Sequence, residues 1–284
     1  MKSKLEAPLN KIIKFSNVDG PGNRMAIFFQ GCNFNCLYCH NPETINLCIS
    51  CGKCIDVCPV KALSRNEQKK VIWDSEICIN CDKCIKTCEN SSSPKVKIVD
   101  SDYLLNEIKK VKSFIKGITV SGGESSLRYE FLTELFSKVK KEFPNLTCFV
   151  DTNGGLDFSQ EKYREFVDIT DAFMLDIKGW KNSEHLNITT KDNINPIKNL
   201  HYLKKIGKLY EVRTVIVPNI LECENIIKNV ARVIDDTDIR YKIIKYRSIG
   251  VRKENIDKLI SPSMEYLKKL EEIAKNLNIN IIVT

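Results

Sequence analysis

The sequence lacks any long apolar segment. Nowhere in its 284 residues do about 18 apolar residues follow one another, as a membrane-spanning helix requires. The first residues, MKSKLEAPLN, also lack the apolar stretch of a secretory signal peptide. We therefore expect a soluble, cytoplasmic protein without membrane contact.

A concentrated charge of one sign is also missing. The net charge is +8, but lysine, arginine and acidic residues are interspersed, and there is no basic tail or arm. There is also no basic patch interleaved with aromatic residues, which single-strand nucleic-acid-binding proteins use. We therefore predict no nucleic-acid partner. The basic excess indicates either a solvated, lysine-rich surface or contact with an acidic protein.

Cysteine, by contrast, is abundant. There are thirteen cysteines, and eleven of them fall into clustered groups. Because structural disulfides are rare in a reducing cytoplasm, clustered cysteines indicate metal binding. Cys148 and Cys223 stand alone in predicted strand and helix contexts, and we expect them to be buried packing residues.

Short apolar strands alternate with amphipathic helices outside the main cysteine region. Strands are predicted at 25–30, 118–122, 146–151, 172–177, 211–218, 241–246 and 281–284. Apolar residues at helical spacing predict helices near 102–116, 126–142, 159–167, 195–206, 222–235 and 262–277. Buried strands joined by helical crossovers predict an α/β fold whose parallel sheet curves into a full or partial barrel.

Residues 45–98 interrupt this pattern with a near repeat. CISCGKCIDVCPVKAL is followed by CINCDKCIKTCENSSS, and each copy contains C-x2-C-x2-C-x3-C. The doubled pattern is typical of a two-cluster bacterial ferredoxin, in which the fourth cysteine of each run binds the other cluster. We therefore predict a small α+β ferredoxin-like insert with two [4Fe–4S] clusters, between barrel segments 1–44 and 99–284.

The ligands of the two predicted clusters follow from this crossed arrangement. One cluster is assigned to Cys48, Cys51, Cys54 and Cys88, and the other to Cys78, Cys81, Cys84 and Cys58. The second run has Glu89 where the first has a proline, which removes no ligand. A zinc ribbon is the alternative, but zinc binds four ligands per site and has little use for this run of four repeated twice.

A separate triplet, C-x3-C-x2-C, directly follows the first predicted strand. A [4Fe–4S] cluster held by Cys32, Cys36 and Cys39 alone has one iron without a protein ligand, which is open to a substrate. In a parallel α/β barrel, active sites lie at the C-terminal ends of the strands, where this triplet falls. A zinc site or a simple relay cluster can produce a similar pattern.

Polar motifs follow the next three predicted strands. They are SGGE at 121–124, DTNG at 151–154 and MLDIK at 174–178. The glycine pair allows a backbone to approach a ligand closely, and Glu124 can balance an ammonium charge. Each motif alone is also typical of an ordinary turn or strand-end cap.

Together with FSNVDGPGNRMAIFFQGCNFNCLYCHNPET at 15–44, these motifs resemble the radical S-adenosylmethionine (SAM) superfamily. More closely, the chain resembles its glycyl-radical-enzyme activating enzymes, such as pyruvate formate-lyase activase, and most of all the YjjW-type branch. The resemblance spans essentially the whole chain and implies a partial (β/α)6 TIM-like barrel. It also implies reductive cleavage of SAM to a 5′-deoxyadenosyl radical, which takes a hydrogen atom from a glycine of a partner glycyl radical enzyme.

The resemblance also implies roles for individual residues. Contacts with SAM are implied for Tyr38, Gly122, Gly123, Glu124, Asp176, Lys178 and Arg213. A monovalent cation, Na⁺ or K⁺, is implied for Asp151, Thr152, Met174 and Asp176. Asp19 matches an aspartate that holds the partner's glycine loop, and a turn aspartate before Gly-Pro-Gly is the alternative.

One position departs from the pattern of pyruvate formate-lyase activase. Arg247 stands in IIKYR where that enzyme has a histidine that reaches SAM, so Arg247 is expected to stack on adenine or to serve the partner. His40 is expected to orient the cluster or to make a structural hydrogen bond. His185 and His201 give no functional signal.

The role of the insert is left open by the sequence. Its clusters either relay electrons from reduced ferredoxin or flavodoxin, or form a rigid docking surface for the partner. Two other functions remain as alternatives for the whole chain: a radical SAM enzyme acting on a small molecule, and an iron–sulfur electron-transfer protein.

Overall fold

The computed structural model describes residues 4–277 and 279–284. Its strands within these ranges are β1 (Glu6–Ser16), β2 (Arg24–Phe29), β3 (Leu63–Arg65), β4 (Val71–Trp73), β5 (Lys97–Asp100), β6 (Gly117–Gly122), β7 (Thr147–Thr152), β8 (Ala172–Asp176), β9 (Leu209–Ile216), β10 (Arg240–Lys245) and β11 (Ile281–Val283). The helices are α1 (Lys53–Asp56), α2 (Lys83–Lys86), α3 (Ser101–Val111), α4 (Tyr129–Glu142), α5 (Arg164–Ile169), α6 (Asn182–Thr189), α7 (Ile194–Lys205), α8 (Cys223–Ile234), α9 (Lys253–Ile256) and α10 (Met264–Lys275). None of the helices in these ranges has the length and apolar character needed to span a bilayer.

One large sheet forms the main body. Its strand order is β11-β10-β9-β8-β7-β6-β2-β1-β5. The strands from β2 to β11 in this order pair in parallel, and helices connect most of them along the chain. The seven predicted strands are therefore confirmed, and the α/β architecture is that of a partial TIM-like barrel.

Several elements of the main body, among them β1, β5, α6 and α9, were missed by the sequence pattern. β1 is antiparallel to β2 and to β5, and its residues alternate irregularly between buried and exposed. It therefore lacks the continuous apolar run that marks the central strands. Helix α6 was missed because its sequence, NSEHLNIT, has hardly any apolar periodicity.

Arg24 closes the N-terminal end of the barrel. Its side chain is fully buried and donates hydrogen bonds to Thr119 Oγ1 at 2.7 Å and to Thr147 Oγ1 at 2.9 Å. Its guanidinium also lies 4.2 Å from the centre of the Phe149 ring. Burial lowers the pKa of Arg24 to about 10, but hydrogen bonds keep the charged side chain satisfied. The polar motifs lie at the opposite, C-terminal end of the parallel strands.

The cysteine-rich segment has a small core of its own. Cys54, Leu63 and Cys84 are buried together, and Trp73 packs against them. Strands β3 and β4 form a separate two-stranded antiparallel sheet. The predicted end of the insert at residue 98 falls within β5, which pairs with β1 in the large sheet.

Candidate active site and cluster-binding cysteines

A cavity of about 280 Å³ opens at the C-terminal ends of the parallel strands. The strands converge on it because the carboxyl ends of parallel neighbours lie at one edge of the sheet. Most of the residues predicted from the sequence line it: Cys32, Cys36, Tyr38, Cys39, Gly122, Gly123, Glu124, Asp151, Thr152, Asp176, Lys178 and Arg213.

The loop that carries the cysteine triplet is fixed through its backbone. The amide N–H of Cys32 donates to the carbonyl of Ile45 at 2.8 Å. On the other side, Leu37 N–H donates to the carbonyl of Ile188 in α6 at 2.9 Å. The three thiols are thus held between the 44–45 segment and the C-terminal turn of α6.

A segment from the C-terminal part of the chain also holds this loop. Arg252 donates from Nη2 to the carbonyl of Cys36 at 3.2 Å, and Asn255 donates from Nδ2 to the carbonyl of Leu37 at 3.1 Å. The ring of His40 hydrogen-bonds through Nε2 to the carbonyl of Arg247 at 2.9 Å. We call residues 247–255 the loop clamp. His40 therefore contacts the clamp backbone.

The environment of the three thiols favours their protonated form in the absence of iron. Burial raises the pKa of Cys32 to about 12, and the nearby carboxylate of Glu124 adds to this. Burial also raises the pKa of Cys36 to about 11, against the attraction of the Lys178 ammonium. Because metal ligands must be thiolates, cluster binding here is expected to release protons.

The two glycines of SGGE allow the loops to meet. Gly122 has a φ of +122°, and a Cβ there would lie 2.3 Å from the backbone nitrogen of Phe29. A Cβ on Gly123 would lie 2.3 Å from the carbonyl oxygen of Gly31. A side chain at Gly122 would therefore clash with the end of β2, and one at Gly123 would push the start of the cysteine loop away from β6.

Glu124 connects the ends of β6 and β7. Its Oε1 accepts hydrogen bonds from Ser126 Oγ at 2.6 Å and from Thr152 Oγ1 at 2.7 Å. Its Oε2 accepts from the backbone N–H of Asn153 at 2.6 Å. Burial raises the pKa of Glu124, while these hydrogen bonds act in the opposite direction. The carboxylate is thus a buried structural acceptor at the edge of the cavity.

Lys178 places a buried positive charge beside the cysteines. Its Nζ lies 2.7 Å from Asp176 Oδ2 and 5.6 Å from the centre of the Tyr38 ring. Burial disfavours the ammonium form, but Asp176 and neighbouring groups outweigh it and raise the pKa of Lys178 well above its usual value. The buried hydroxyl of Tyr38 has no hydrogen-bond partner among the described residues. This side of the cavity can therefore offer polar groups to a nucleoside.

Arg213 lies deeper in the cavity, between the buried Glu211 and the half-buried Asp151. Its Nη1 is 3.0 Å from Asp151 Oδ2, and its Nε is 2.6 Å from Glu211 Oε1. Burial lowers the pKa of Arg213, but Asp151 and Glu211 outweigh this and raise it overall. Its Nη2 also lies 2.9 Å from Met174 Sδ. Met174 is buried beneath Arg213 and does not line the cavity.

Two other predicted residues lie outside the cavity lining. The side chain of Arg247 is exposed to solvent, and only its carbonyl contacts the cysteine loop, through His40. Asp19 lies in the loop between β1 and β2, where its carboxylate accepts a hydrogen bond from Ser16. The structure therefore brings neither side chain to the cysteine triplet.

Several residues of the site were not predicted. Asn153 donates from Nδ2 to Asn33 Oδ1 at 2.9 Å, and the same nitrogen lies 3.7 Å from Cys32 Sγ. Its position in DTNG was a usable signal. Glu211, Arg252 and Asn255 lie outside the motifs SGGE, DTNG and MLDIK and outside the cysteine triplet. They reach the site only through tertiary packing, which the sequence pattern does not show.

The eight cysteines of the repeat separate into two cavities. The first, of about 320 Å³, is lined by Cys48, Cys51, Cys54 and Cys88. The second, of about 20 Å³, is lined by Cys58, Cys78, Cys81 and Cys84. Each cavity thus contains three thiols of one run and the fourth of the other run, and these donor sets fit [4Fe–4S] clusters. The second cavity is the narrower of the two, so its loops would have to separate to admit a cluster.

Comparison with known proteins indicates the same superfamily that the sequence motifs resemble. The model of the radical SAM superfamily matches residues 26–230. A Haemophilus influenzae protein assigned to the glycyl-radical enzyme activating enzymes is 30% identical over 99% of this chain and 98% of its own length. The trans-4-hydroxy-L-proline dehydratase activating enzyme of Clostridioides difficile is 30% identical over 94% of this chain and 95% of its own.

More distant similarities agree with the fold. The pyruvate formate-lyase-activating enzyme of Staphylococcus epidermidis is 28% identical over 88% of this chain and 84% of its own length. The crystal structure of QueE from Escherichia coli covers 98% of this chain and 94% of its own, with a TM-score of 0.54 and 13% identity. The chain belongs to the radical SAM superfamily and, within it, to the glycyl-radical-enzyme activating enzymes.

Proposed function

We propose that this chain binds SAM in the cavity at the strand ends, cleaves it reductively and installs a glycyl radical on a partner glycyl radical enzyme. The observation that carries the proposal is the convergence of Cys32, Cys36 and Cys39 on this cavity, where no fourth cysteine is found among the described residues. A [4Fe–4S] cluster with three thiolate ligands supplies the electron and the open iron that SAM cleavage requires. The residues of the chain bind and orient the substrate and exclude water.

We assign the remaining cavity residues to SAM. Tyr38 and Lys178 would face the nucleoside. The backbone carbonyls of Gly122 and Gly123 would accept hydrogen bonds from the amino group of SAM. Arg213 would pair with the SAM carboxylate, because its fork of N–H donors suits a carboxylate. Glu124 would hold the SGGE and DTNG motifs in place, because its oxygens are already bonded to Ser126, Thr152 and Asn153. Arg247 is not assigned to SAM, since its side chain faces solvent.

A monovalent cation beside the SAM carboxylate is also proposed. Asp151, Thr152 and Asp176 offer oxygen ligands, and Met174 would contribute its backbone carbonyl. Arg213 pairs with Asp151, and Lys178 pairs with Asp176. The cation would therefore share these two carboxylates with the basic side chains, and the SAM carboxylate would share Arg213 with Asp151. Its test is whether K⁺ or Na⁺ lowers the dissociation constant of SAM. No difference between these salts and choline chloride would contradict the cation.

Three clusters per chain are proposed in total. The domain division would be a barrel formed by residues 1–44 and 99–284 and a cluster-binding insert at 45–98. It is supported by the separate two-stranded sheet and the two four-cysteine cavities of that segment. Iron and sulfide analysis after anaerobic reconstitution tests it, with about twelve irons per chain expected if each cluster is a four-iron cube. A value near four irons would leave the insert without clusters.

The proposed partners are a glycyl radical enzyme and a reduced ferredoxin or flavodoxin as electron donor. We place the reaction in the cytoplasm, because its reducing thiol pool keeps cysteines available for clusters. All thirteen cysteines are free thiols in this fold. The insert would relay electrons from the donor, and docking of the partner is the competing role.

The decisive experiment is anaerobic mixing with the glycyl radical enzyme encoded nearest to this gene, SAM and dithionite. A glycyl radical is expected by electron paramagnetic resonance (EPR), together with 5′-deoxyadenosine by chromatography. Cleavage of SAM without a protein radical on any candidate partner would favour a small-molecule substrate instead. No cleavage of SAM by protein with a full cluster content would contradict the proposed function.

A further inference from the structure

We propose that Trp73 is a hydrogen-bond donor to one cluster of the insert, the one bound by Cys58, Cys78, Cys81 and Cys84. Together with Lys95, it raises the reduction potential of that cluster and leaves the other cluster unaffected. This inference rests on the proposed function, in which the insert holds two clusters.

The indole of Trp73 carries the first part of the argument. It lines the second cavity together with the four thiols. Its Nε1 is buried and has no conventional hydrogen-bond partner in the part of the chain that the structure describes. A buried N–H donor without a partner is unfavourable, so its position is explained if a cluster thiolate or sulfide accepts from it.

Lys95 adds a positive charge to the same cavity. Its side chain is only 12% exposed, and its Nζ lies 2.6 Å from Asp82 Oδ1 and 3.3 Å from Asn80 Oδ1. Lys95 lines the second cavity together with Cys78 and Cys84. Asp82 offsets part of this charge, so we assign the larger effect to Trp73 and the smaller one to Lys95.

The first cavity has a different environment. Arg65 lies close to its loop, but its guanidinium donates to the backbone carbonyls of Ser50 and Cys51. Lys53 lines the cavity and is paired with Glu89 at 2.7 Å on the exposed rim. The buried hydroxyl of Ser92 has no partner among the described residues and is a neutral donor that can rotate. The two cavities therefore differ although their cysteine spacings are the same.

The direction of the effect follows from electrostatics. A cluster gains one negative charge when it accepts an electron. A hydrogen bond to a cluster sulfur and a nearby ammonium both stabilise the more negative state, and both raise the reduction potential. Both side chains line the cavity together with the four thiols, so they would act on this cluster at short range.

The test is an EPR-monitored redox titration of the insert clusters with dithionite as reductant. The background variant Cys36→Ala removes a ligand of the SAM-binding cluster, so that the insert clusters dominate the signal. The wave that disappears in Cys81→Ala belongs to the second cluster, and the wave that disappears in Cys51→Ala belongs to the first. Trp73→Phe is expected to move the second wave to lower potential and to leave the first in place.

Matched variants separate the specific effect from general ones. Lys95→Met should move the same wave by a smaller amount, whereas Lys70→Met, an exposed lysine of the same segment, should move neither. Ser92→Ala should leave the second wave in place. An unchanged second wave in Trp73→Phe with both clusters bound would overturn the proposal.

A measurement on the unaltered insert covers the case in which Trp73→Phe fails to bind its cluster. The chain has only two tryptophans, Trp73 and Trp180, so ¹⁵N-indole labelling is simple to assign. Electron–nuclear double resonance should show a ¹⁵N coupling to the reduced second cluster, and Trp180→Phe should retain it. A missing coupling in protein with three clusters would overturn the inference. Protein with only four irons would instead contradict the proposed function.

Discussion

Arg213 on β9 reaches across β8 to Asp151 on β7, with Nη1 3.0 Å from Oδ2. Glu211 holds the same guanidinium through Nε at 2.6 Å. Arg213 thus pairs with two acids inside the barrel, and Glu211 is also paired with Arg240 at 3.4 Å. If Arg213 binds the SAM carboxylate as proposed, stability and substrate affinity depend on the same side chain.

Removal of this arginine should weaken the fold. Arg213→Met leaves the largely buried Asp151 without its paired cation and leaves Glu211 with Arg240 alone, which we expect to lower the free energy of unfolding by about 3 kcal/mol. Urea denaturation measures this loss. The double variant Arg213→Met/Asp151→Asn should recover part of it, because one unpaired charge is gone. Equal stability of all three proteins would show that the pair is not buried as described.

Glu124 should stabilise the fold mainly as a hydrogen-bond acceptor and less through its negative charge. Glu124→Ala leaves the donors of Ser126, Thr152 and Asn153 without an acceptor, and we expect a loss of about 3 kcal/mol in unfolding free energy. Glu124→Gln keeps one acceptor oxygen and should lose less. Thermal unfolding of both variants, with and without SAM, measures the difference. A larger loss in the glutamine variant would contradict this order.

A cluster thiol and a packing thiol should behave differently. Cys36→Ala should abolish SAM cleavage, since the SAM-binding cluster loses one of only three protein ligands. Cys148→Ala is the matched control, because Cys148 is fully buried in β7 and away from the three cluster cavities. It should keep its iron content and cleave SAM at close to the normal rate. Normal 5′-deoxyadenosine production by Cys36→Ala would refute the assignment.

The amount of glycyl radical formed by variants of the insert should depend on the electron source. If the insert relays electrons, Cys51→Ala and Cys81→Ala should form the glycyl radical with dithionite but lose most of it with a reduced ferredoxin or flavodoxin. If the insert docks the partner, both reductants should fail alike. Because cluster loss can unfold the small segment, SAM cleavage with dithionite and without partner serves as the control. Full activity with the protein donor would exclude both roles.

His185 should make part of the stability dependent on pH. Burial lowers its pKa, and the charge of Lys178 adds to this, against the pull of the Lys191 carbonyl and Asp192. Below about pH 6.5 the unfolded chain binds a proton at this residue that the folded chain does not, so stability falls as the pH falls.

The matched comparison is His185→Gln against His201→Gln, since His201 is exposed. The wild type and His201→Gln should lose up to about 1.4 kcal/mol of unfolding free energy per pH unit below pH 6.5 through this group. His185→Gln should lack this part of the slope. Urea denaturation between pH 5 and 8 measures it, and identical slopes in the two variants would contradict a buried neutral His185.

The sequence predicted the fold and most of the cavity for one physical reason. The apolar strands are continuous enough to be recognised, and the carboxyl ends of parallel strands meet at one edge. SGGE, DTNG and MLDIK therefore meet at the cysteine triplet although they lie far apart in the chain. The SAM contacts and ligand sets assigned to these residues stay predictions.

Other parts of the site depend on details that spacing does not contain. Met174 faces the barrel interior as Asp176 does, because strand side chains alternate, but Arg213 lies over its sulfur. Arg247 follows β10 and turns outward, so its place in a motif did not predict its direction. The role of Glu124 as an acceptor for three residues depends on tertiary packing.

The loop clamp has a consequence for the order of assembly. Arg252 and Asn255 bond to the carbonyls of Cys36 and Leu37, more than two hundred residues earlier in the chain. During synthesis, the cysteine triplet leaves the ribosome long before the segment that fixes its loop, while the residues that line the two cavities of the insert end at Lys95. If the insert binds clusters as proposed, it can acquire iron first, and the triplet reaches its final geometry only when the barrel is nearly finished.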